Sequence, residues 1–293
     1  MSGIDTSADA LGPAIGSLSN TQIKEELKSR YGITDFSDCI EPGDLQARLS
    51  NTRNSRPITH GLRYGELLEI GNQKNPTGLV TVSHGLGDSC RGWEDVGHDL
   101  ARRFPYLLFL LPTAPNRAIT INGGMTMPAW YDINNMITSG LASGRQDTVG
   151  VMQSADYIRS LAHVTARRYN VPLSRVVYAG FSQGAATSLV TGLTGHLAPA
   201  GVAVLSGYFA SMTDVIPQIR HRHFPLHFFH GTADPVVPYE AATETVNVLK
   251  KELGREDIGL TSYPNMQHQL NQKELNDLAT FIGSCLPEKF SAL

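Results

Sequence analysis

The chain contains 293 residues, 41% of them hydrophobic, and carries a formal net charge of −3 at pH 7. This length and composition favour a soluble enzyme with one large core over a fibre, a membrane span or a disordered tail. The small negative charge argues against a dedicated nucleic-acid surface. The three cysteines lack metal-ligand spacing, and no basic region followed by an apolar core opens the chain, so we expect reduced thiols in a cytoplasmic protein without a secretory signal.

The N-terminal part of the chain predicts a flexible start followed by two short helices. Residues 1–18 are rich in Gly, Ser, Ala and Asp and lack a sustained hydrophobic period, so we expect them to be flexible. Over residues 19–56, apolar residues recur at helical spacing on either side of an extended link. The apolar residues are Ile23, Leu27 and Tyr31 in the first helix, Ile33, Phe36 and Ile40 in the link, and Leu45 and Leu49 in the second helix.

Residues 19–56 resemble a SAP-type module, in which two helices flank an extended loop. The runs 27–32 (LKSRYG) and 44–49 (DLQARL) carry this resemblance. Such modules often bind DNA, but here the basic residues are matched one for one by acidic residues, so the positive surface that DNA binding needs is missing. We therefore expect either docking to a protein partner or packing without a binding role. The polar run 51–57, which ends in proline, predicts a linker before a second domain at 57–293.

From residue 58 onward, apolar runs of strand length alternate with helical patterns. This alternation predicts an α/β fold with a mostly parallel central sheet flanked by helices. Strands are predicted at 62–70, 78–83, 106–111, 201–205, 226–230 and 259–263, and helices at 93–103, 148–164, 239–253 and 269–285. The run at 176–186 predicts a strand followed by a further helix.

The loop His84-Gly85-Leu86-Gly87-Asp88 follows the buried strand at 78–83. A glycine-rich loop in this position can present a backbone N–H, here that of Leu86, to a developing oxyanion. For His84 and Asp88, loop structure and helix capping are the favoured interpretation over direct chemistry.

The connection at 116–135 is long and apolar, and long loops in compact domains are usually functional. We predict that Met125, Met127 and Trp130 form one wall of an acyl-binding cleft, because flexible methionines suit variable chains. A core position for Trp130 is an equally open interpretation.

The run at 176–186 has the pattern of a nucleophile elbow, since a β-branched strand breaks into Gly180-Phe181-Ser182-Gln183-Gly184 and then into small residues. Such a turn crowds the backbone, and glycine at both ends removes the side chains that would collide. It would expose the Ser182 hydroxyl above the sheet edge. The Gln183 N–H, at a helix start, would face a developing oxyanion.

An activated serine needs a base and an orienting acid, and both follow in the chain order typical of α/β hydrolases. Asp234 comes just after the buried strand at 226–230, where Pro235 ends the strand. Of the ten histidines, only His268 lies well beyond a plausible acid. The sequence therefore predicts Ser182, Asp234 and His268 as nucleophile, acid and base.

The chain from about residue 60 to 287 resembles the acyl-protein thioesterase, lysophospholipase and carboxylesterase family of α/β hydrolases. Two positions depart from that family: Asn265 stands where members commonly have glycine, and Gln269 where they often have serine. The motifs that carry the resemblance are 84–88 (HGLGD), 112–115 (PTAP), 127–132 (MPAWYD), 180–184 (GFSQG) and 230–238 (HGTADPVVP).

The resemblance implies a Ser182–His268–Asp234 triad, an oxyanion hole from the Leu86 and Gln183 N–H groups, and hydrolysis through an acyl-enzyme without metal or organic cofactor. The implied substrates are S-palmitoylated proteins or, alternatively, lysophospholipids and short esters, with at most peripheral membrane contact. A hypothesis of another class is a non-catalytic scaffold that acts through residues 19–56. The complete set of triad residues argues against this scaffold.

Overall fold

Within the described residues, 11–39, 41–135 and 146–288, the centre of the computed structural model is a seven-stranded sheet. The strands in chain order are β1 (Leu67–Gly71), β2 (Gly78–Ser83), β3 (Leu107–Pro112), β4 (Asn116–Ile119), β5 (Met125–Pro128), β6 (Val176–Phe181), β7 (Gly201–Leu205), β8 (Leu226–Gly231) and β9 (Gly259–Tyr263). The central sheet has the order β1-β3-β2-β6-β7-β8-β9, and β4 pairs with β5 separately.

Only β1 is antiparallel to its neighbour in the central sheet, and the pairs from β3 to β9 are parallel. Every residue of β2 and β3 is buried, as expected for strands covered on both faces. Because parallel strands share a direction, the loops after β2, β6, β8 and β9 meet at one edge of the sheet. The predicted α/β-hydrolase fold is thereby confirmed.

Helices cover both faces of the sheet. They are α1 (Asn20–Tyr31), α2 (Pro42–Ser55), α3 (Glu94–Arg103), α4 (Thr148–Tyr169), α5 (Gln183–Thr194), α6 (Met212–Val215), α7 (Tyr239–Leu253) and α8 (Gln272–Cys285). One apolar core joins α4, α5 and α7 to the sheet, and a second joins α3 and α8 to its other face. The alternation of strand side chains explains this division, since Leu79 enters the first core while Val80 and Val82 enter the second.

The connection at 116–135, predicted to be a loop, contains regular structure. Strands β4 and β5 form an antiparallel hairpin in which Arg117 faces Met127. Gly123 and Gly124 both have positive φ, at 65° and 82°, and they supply the backbone freedom for its turn. The hairpin is short. It lies next to the loop after β2, and the Gly87 N–H of that loop donates a hydrogen bond to the Pro128 carbonyl at 2.9 Å.

The predicted linker at 51–57 is wrong for most of its length, because α2 continues to Ser55. Its polar residues do not mark a linker, since Arg53 is completely buried and forms a two-pronged ion pair with Glu26 of α1. The two helices predicted for 19–56 are present, and they enclose a small apolar core of their own. The SAP-like character and the domain boundary remain predictions.

The N-terminal helices lie against α4. The Ile58 N–H donates to the Ser160 hydroxyl of α4 at 2.7 Å in a buried position, and the Arg30 carbonyl accepts the N–H groups of residues 59 and 60. Residues 11–18 also pack against the N-terminal helices. Leu11 is buried, and its backbone carbonyl accepts a hydrogen bond from the Arg30 guanidinium. The predicted flexible start therefore does not extend to residue 18. Residues 1–10 and Ile40 lie outside the described residues.

Candidate active site

Ser182 lies in the sharp turn between β6 and α5. Its φ of 55° and ψ of −119° are strained for a residue with a side chain, and such strain is typical of functional turns. A Cβ on Gly180 would lie 2.4 Å from the Gly184 carbonyl oxygen, and one on Gly184 would lie 2.2 Å from the Ser83 carbonyl oxygen. Both glycines are therefore required by close backbone contact, as the elbow pattern predicts.

The predicted acid and base lie beside this serine. His268 Nε2 is 2.9 Å from Ser182 Oγ, and His268 Nδ1 is 2.7 Å from Asp234 Oδ2. The three residues come from the loops after β6, β8 and β9, and they join into one hydrogen-bonded row. The arrangement can pass a proton from the serine hydroxyl to the imidazole while the carboxylate orients the ring.

Asp234 is held in its charged form. Burial alone would raise its pKa, but the hydrogen bond from His268 and those from the Val237 and Val236 N–H groups outweigh burial and lower it. His230 is also near, with Nε2 3.5 Å from Asp234 Oδ2. This Nε2 lies 2.8 Å from the Val237 carbonyl, and burial lowers the pKa of His230, so this ring is a neutral supporting group.

The loop after β2 runs against the serine. A Cβ on Gly85 would lie 3.5 Å from the Ser182 Cβ, so the next residue, Leu86, is placed close to the reacting centre. Gln183 opens α5, and its side chain is almost fully buried. The Gln183 amide accepts the Trp130 N–H at 2.9 Å and donates to the Tyr131 carbonyl at 2.6 Å. This amide therefore connects the start of α5 to the chain that follows β5.

His84 and Asp88 have structural contacts. His84 Nε2 accepts the Ala114 N–H at 3.0 Å, so Nδ1 carries the proton and donates to the Gly85 carbonyl at 2.6 Å. Burial lowers the pKa of His84, which favours this neutral ring. Asp88 accepts from the Trp93 indole at 3.1 Å. These contacts support the favoured interpretation of both residues as loop structure.

The three residues predicted for the cleft wall have different surroundings. Met125 is 63% exposed at the end of the hairpin, and Met127 is partly buried, with its sulfur 3.6 Å from where a Cβ on Gly87 would lie. Trp130 is completely buried and donates from its indole to the His84 carbonyl at 2.8 Å. Trp130 is therefore a core residue that supports the loop after β2, which agrees with the core interpretation, and its contribution to the cleft wall stays a prediction.

Asn265 has a φ of 59°, in the left-handed region. Asparagine tolerates this conformation better than other residues with a side chain, which explains how it can stand where glycine is common. The Asn265 N–H donates to the Thr232 hydroxyl at 3.0 Å and so connects the base loop to the acid loop.

Two side chains beside the site were not found from the sequence. The Gln183 amide is one, and its position after the serine of the elbow was the available signal. The other is Glu274 in α8, whose carboxyl group is completely buried. An acidic residue three positions after Asn271 indicates a helix start, but nothing in the local pattern indicates burial.

Comparisons with known proteins find related sequences that match most of this chain. A family profile described as Phospholipase/Carboxylesterase matches residues 68–286. Acyl-protein thioesterase 1 of Mycosarcoma maydis is 39% identical over 225 residues, covering 72% of this chain and 92% of that protein. The protein of the same name from Emericella nidulans is 37% identical over 223 residues, with coverages of 73% and 92%.

Solved structures show the same fold. SOBER1 of Arabidopsis thaliana is similar with a TM-score of 0.65 at 26% identity, covering 71% of this chain and 98% of that one. Acyl-protein thioesterase 2 of Zea mays has a TM-score of 0.64 at 23% identity, with coverages of 76% and 99%.

No helix among the described residues combines the length and apolar character needed to cross a membrane.

Proposed function

We propose that this chain, a serine hydrolase that belongs to the phospholipase/carboxylesterase family of α/β hydrolases, removes fatty acyl groups from cysteine side chains of proteins. The observation that carries the proposal is the hydrogen-bonded row of Ser182, His268 and Asp234 at the carboxyl edge of the sheet. Relatives named acyl-protein thioesterase, which this chain matches over most of their length, supply the substrate class.

In the first chemical step, His268 takes the Ser182 proton as the hydroxyl oxygen attacks the thioester carbonyl carbon. The carbonyl oxygen becomes an oxyanion, which the N–H groups of Leu86 and Gln183 stabilise. Asp234 orients the imidazole and stabilises the imidazolium that forms. When the tetrahedral intermediate collapses, His268 returns the proton to the departing cysteine sulfur, and the acyl group remains on Ser182.

In the second step, His268 takes a proton from water, and the resulting hydroxide attacks the acyl-serine ester. A second tetrahedral intermediate forms in the same oxyanion hole. Its collapse releases the fatty acid and returns the proton to Ser182. Both steps use only groups of this chain and water.

Hydrolysis of lysophospholipids or short esters is the second candidate, and the family profile that names phospholipases and carboxylesterases favours it. A thioester and an ester present the same carbonyl to the site, so the triad accommodates either. Met125 and Met127 are the proposed contacts for the acyl chain, since their flexible side chains lie on the hairpin beside the oxyanion loop. We place the activity in the cytoplasm, with membrane contact limited to the surface.

A side-by-side hydrolysis assay tests the proposal. The substrates are a palmitoyl-cysteine peptide, a palmitoyl lysophospholipid and a short aryl ester, and each is measured with wild-type protein and with Ser182→Ala. We expect the thioester to be preferred by at least about tenfold in kcat/KM, and Ser182→Ala to lose on the order of 10^4 to 10^6 in kcat on every substrate. A preference for the lysophospholipid would favour the second candidate, and turnover that persists in Ser182→Ala would refute the serine mechanism.

A further inference from the structure

Glu274 is a completely buried acid in the first turn of α8. Its backbone N–H donates to the Asn271 side chain at 2.8 Å, which caps α8. Its two carboxyl oxygens are buried, and neither has a hydrogen-bond partner within the described residues. An ionised carboxylate without a partner is strongly unfavourable inside a protein, so the protonated form is favoured there.

The start of α8 is joined to the loops that carry the acid and the base. The Asn271 amide donates to the Met266 sulfur at 2.9 Å, two residues before His268. The Met266 carbonyl accepts the N–H of Ala233, the residue before Asp234, at 3.1 Å. The first turn of α8, which carries Glu274, is therefore joined by hydrogen bonds to the two loops that carry Asp234 and His268.

The charged groups around Glu274 are mainly acidic. Asp234 and Asp277 both repel a negative charge on it, whereas Lys273 is engaged by Asp277 at 2.8 Å. Tyr263 of β9 also donates to Asp277, at 2.9 Å. Burial is the largest cause that raises the pKa of Glu274, to about 8, and the Asn271 backbone N–H, which approaches the carboxyl group without the geometry of a hydrogen bond, opposes it only in part. Two further titratable groups, His268 and His230, both lie beside Asp234.

The two buried acids differ in their hydrogen-bond donors. Asp234 receives hydrogen bonds from His268, Val236 and Val237, while the Glu274 carboxyl group receives none within the described residues. When two acids share a buried site, the one with donors keeps its charge and the other keeps the proton.

We propose that Glu274 is a positioning residue of the hydrolytic site, which holds a proton so that, among the described residues, Asp234 is the one buried carboxylate charge beside His268. The proposal rests on the triad roles given above. Its consequence is that ionisation of Glu274 adds a second buried negative charge, which has no paired cation as Asp277 has, and changes the electrostatic environment of the His268 ring. The replacement Glu274→Gln keeps the shape and neutrality of the protonated acid. Because glutamine cannot ionise, it cannot change the electrostatic environment of the His268 ring as the pH rises.

Nuclear magnetic resonance of the His268 ring tests the proposal without turnover. The protein is labelled at histidine, the His268 signal is assigned by its loss in His268→Ala, and its chemical shift is followed from pH 5 to pH 10. We expect a second inflection near pH 8 in wild-type protein that Glu274→Gln removes. Asp277→Asn is the matched control, because Asp277 is on the same helix but is paired and partly exposed. It should keep the inflection, moved only to a lower pH since one weak repulsion is removed.

Thermal unfolding provides a second measurement. Folding raises the pKa of Glu274. The contribution of this residue to stability is therefore fully present at a pH below the pKa that Glu274 has in the unfolded chain, and it is lost as the pH rises through about 8. The Tm of wild-type protein should therefore fall relative to that of Glu274→Gln as the pH rises through this window. A second inflection that survives in Glu274→Gln, or a Tm difference that is independent of pH, would overturn the proposal. Loss of turnover in the hydrolysis assay with the inflection intact would instead contradict the proposed function alone.

Discussion

Two hydrogen-bonded Asp–His pairs among the described residues have different surroundings. Asp234 and His268 lie 2.7 Å apart at the carboxyl edge of the sheet, and Asp156 and His60 lie 3.0 Å apart where the N-terminal segment meets α4. Burial would raise the pKa of both carboxyl groups, and in both pairs the histidine is the strongest opposing contact, so that each pKa is lowered. As isolated pairs they are close to equivalent.

The two pairs differ in the other groups that contact them. The second ring nitrogen of His268 is 2.9 Å from a serine hydroxyl, whereas Asp156 is also contacted by Arg159 at 2.7 Å and Arg30 at 3.6 Å. The two arginines balance the charge of Asp156. The His60–Asp156 pair is therefore a structural contact, which joins the N-terminal segment to α4. The comparison shows that an Asp–His pair indicates catalysis only where a nucleophile completes it.

The largest expected effect separates the two histidines. His268→Ala removes the proposed base and should lower kcat/KM for a short aryl ester by about 10^4 or more. His60→Ala is the matched control, since it breaks an Asp–His contact of similar length far from the serine, and it should change kcat/KM by less than about threefold. Steady-state kinetics on folded protein, checked by circular dichroism, decide the comparison. Equal losses in the two variants would contradict the assignment of the base.

Much of the fold was predictable because the decisive signals are local. The buried runs that became β2 and β7 have strand boundaries in the structure that match those predicted. The hairpin of β4 and β5 was missed because its strands are short and lack alternation. The extent of α2 was missed for another reason: the acid that pairs with Arg53 is Glu26, which lies far away in the sequence.

The triad residues of the candidate site could be predicted from the sequence because each of them lies in a loop that follows a strand. The family resemblance is confirmed, and the structure brings Ser182, Asp234 and His268 together as predicted, while their catalytic roles remain proposals. The residues around the triad could be predicted less well from the sequence. The structure was needed to show that the Trp130 indole contacts the His84 carbonyl, and the burial of Glu274 depends on tertiary packing that no local pattern encodes.

The second prediction compares the two acids. Asp156→Asn should lower the free energy of unfolding by about 2 kcal/mol, because it weakens hydrogen bonds to charged partners and leaves Arg159 and Arg30 without their shared carboxylate. Its kcat/KM should stay within about threefold of wild type, whereas Asp234→Asn should lose about 10^4 in kcat. Urea unfolding and ester kinetics measure the two effects. A large catalytic loss in Asp156→Asn with unchanged stability would reverse the distinction between the pairs.

The smallest expected effect concerns the N-terminal segment as a whole. Deletion of residues 1–56 removes Arg30 and both N-terminal helices but keeps the hydrogen bond from Ile58 to Ser160 and the contact of His60 with Asp156. All proposed triad and oxyanion residues follow this segment, so turnover of a short ester should stay within about threefold, less than ~1 kcal/mol in barrier.

The Tm of this truncated chain should nevertheless fall, because the deletion exposes Ile58 and the α4 surface that Leu11 and α2 cover. A chain truncated by ten residues is the matched control and should keep the wild-type Tm if the contacts of residues 11–55 provide the stability. Effects on action toward protein-bound acyl groups would indicate docking through residues 19–56. If the chain lacking residues 1–56 folds, by circular dichroism and thermal melting, yet loses short-ester turnover, then the N-terminal segment completes the active site and the docking role must be abandoned.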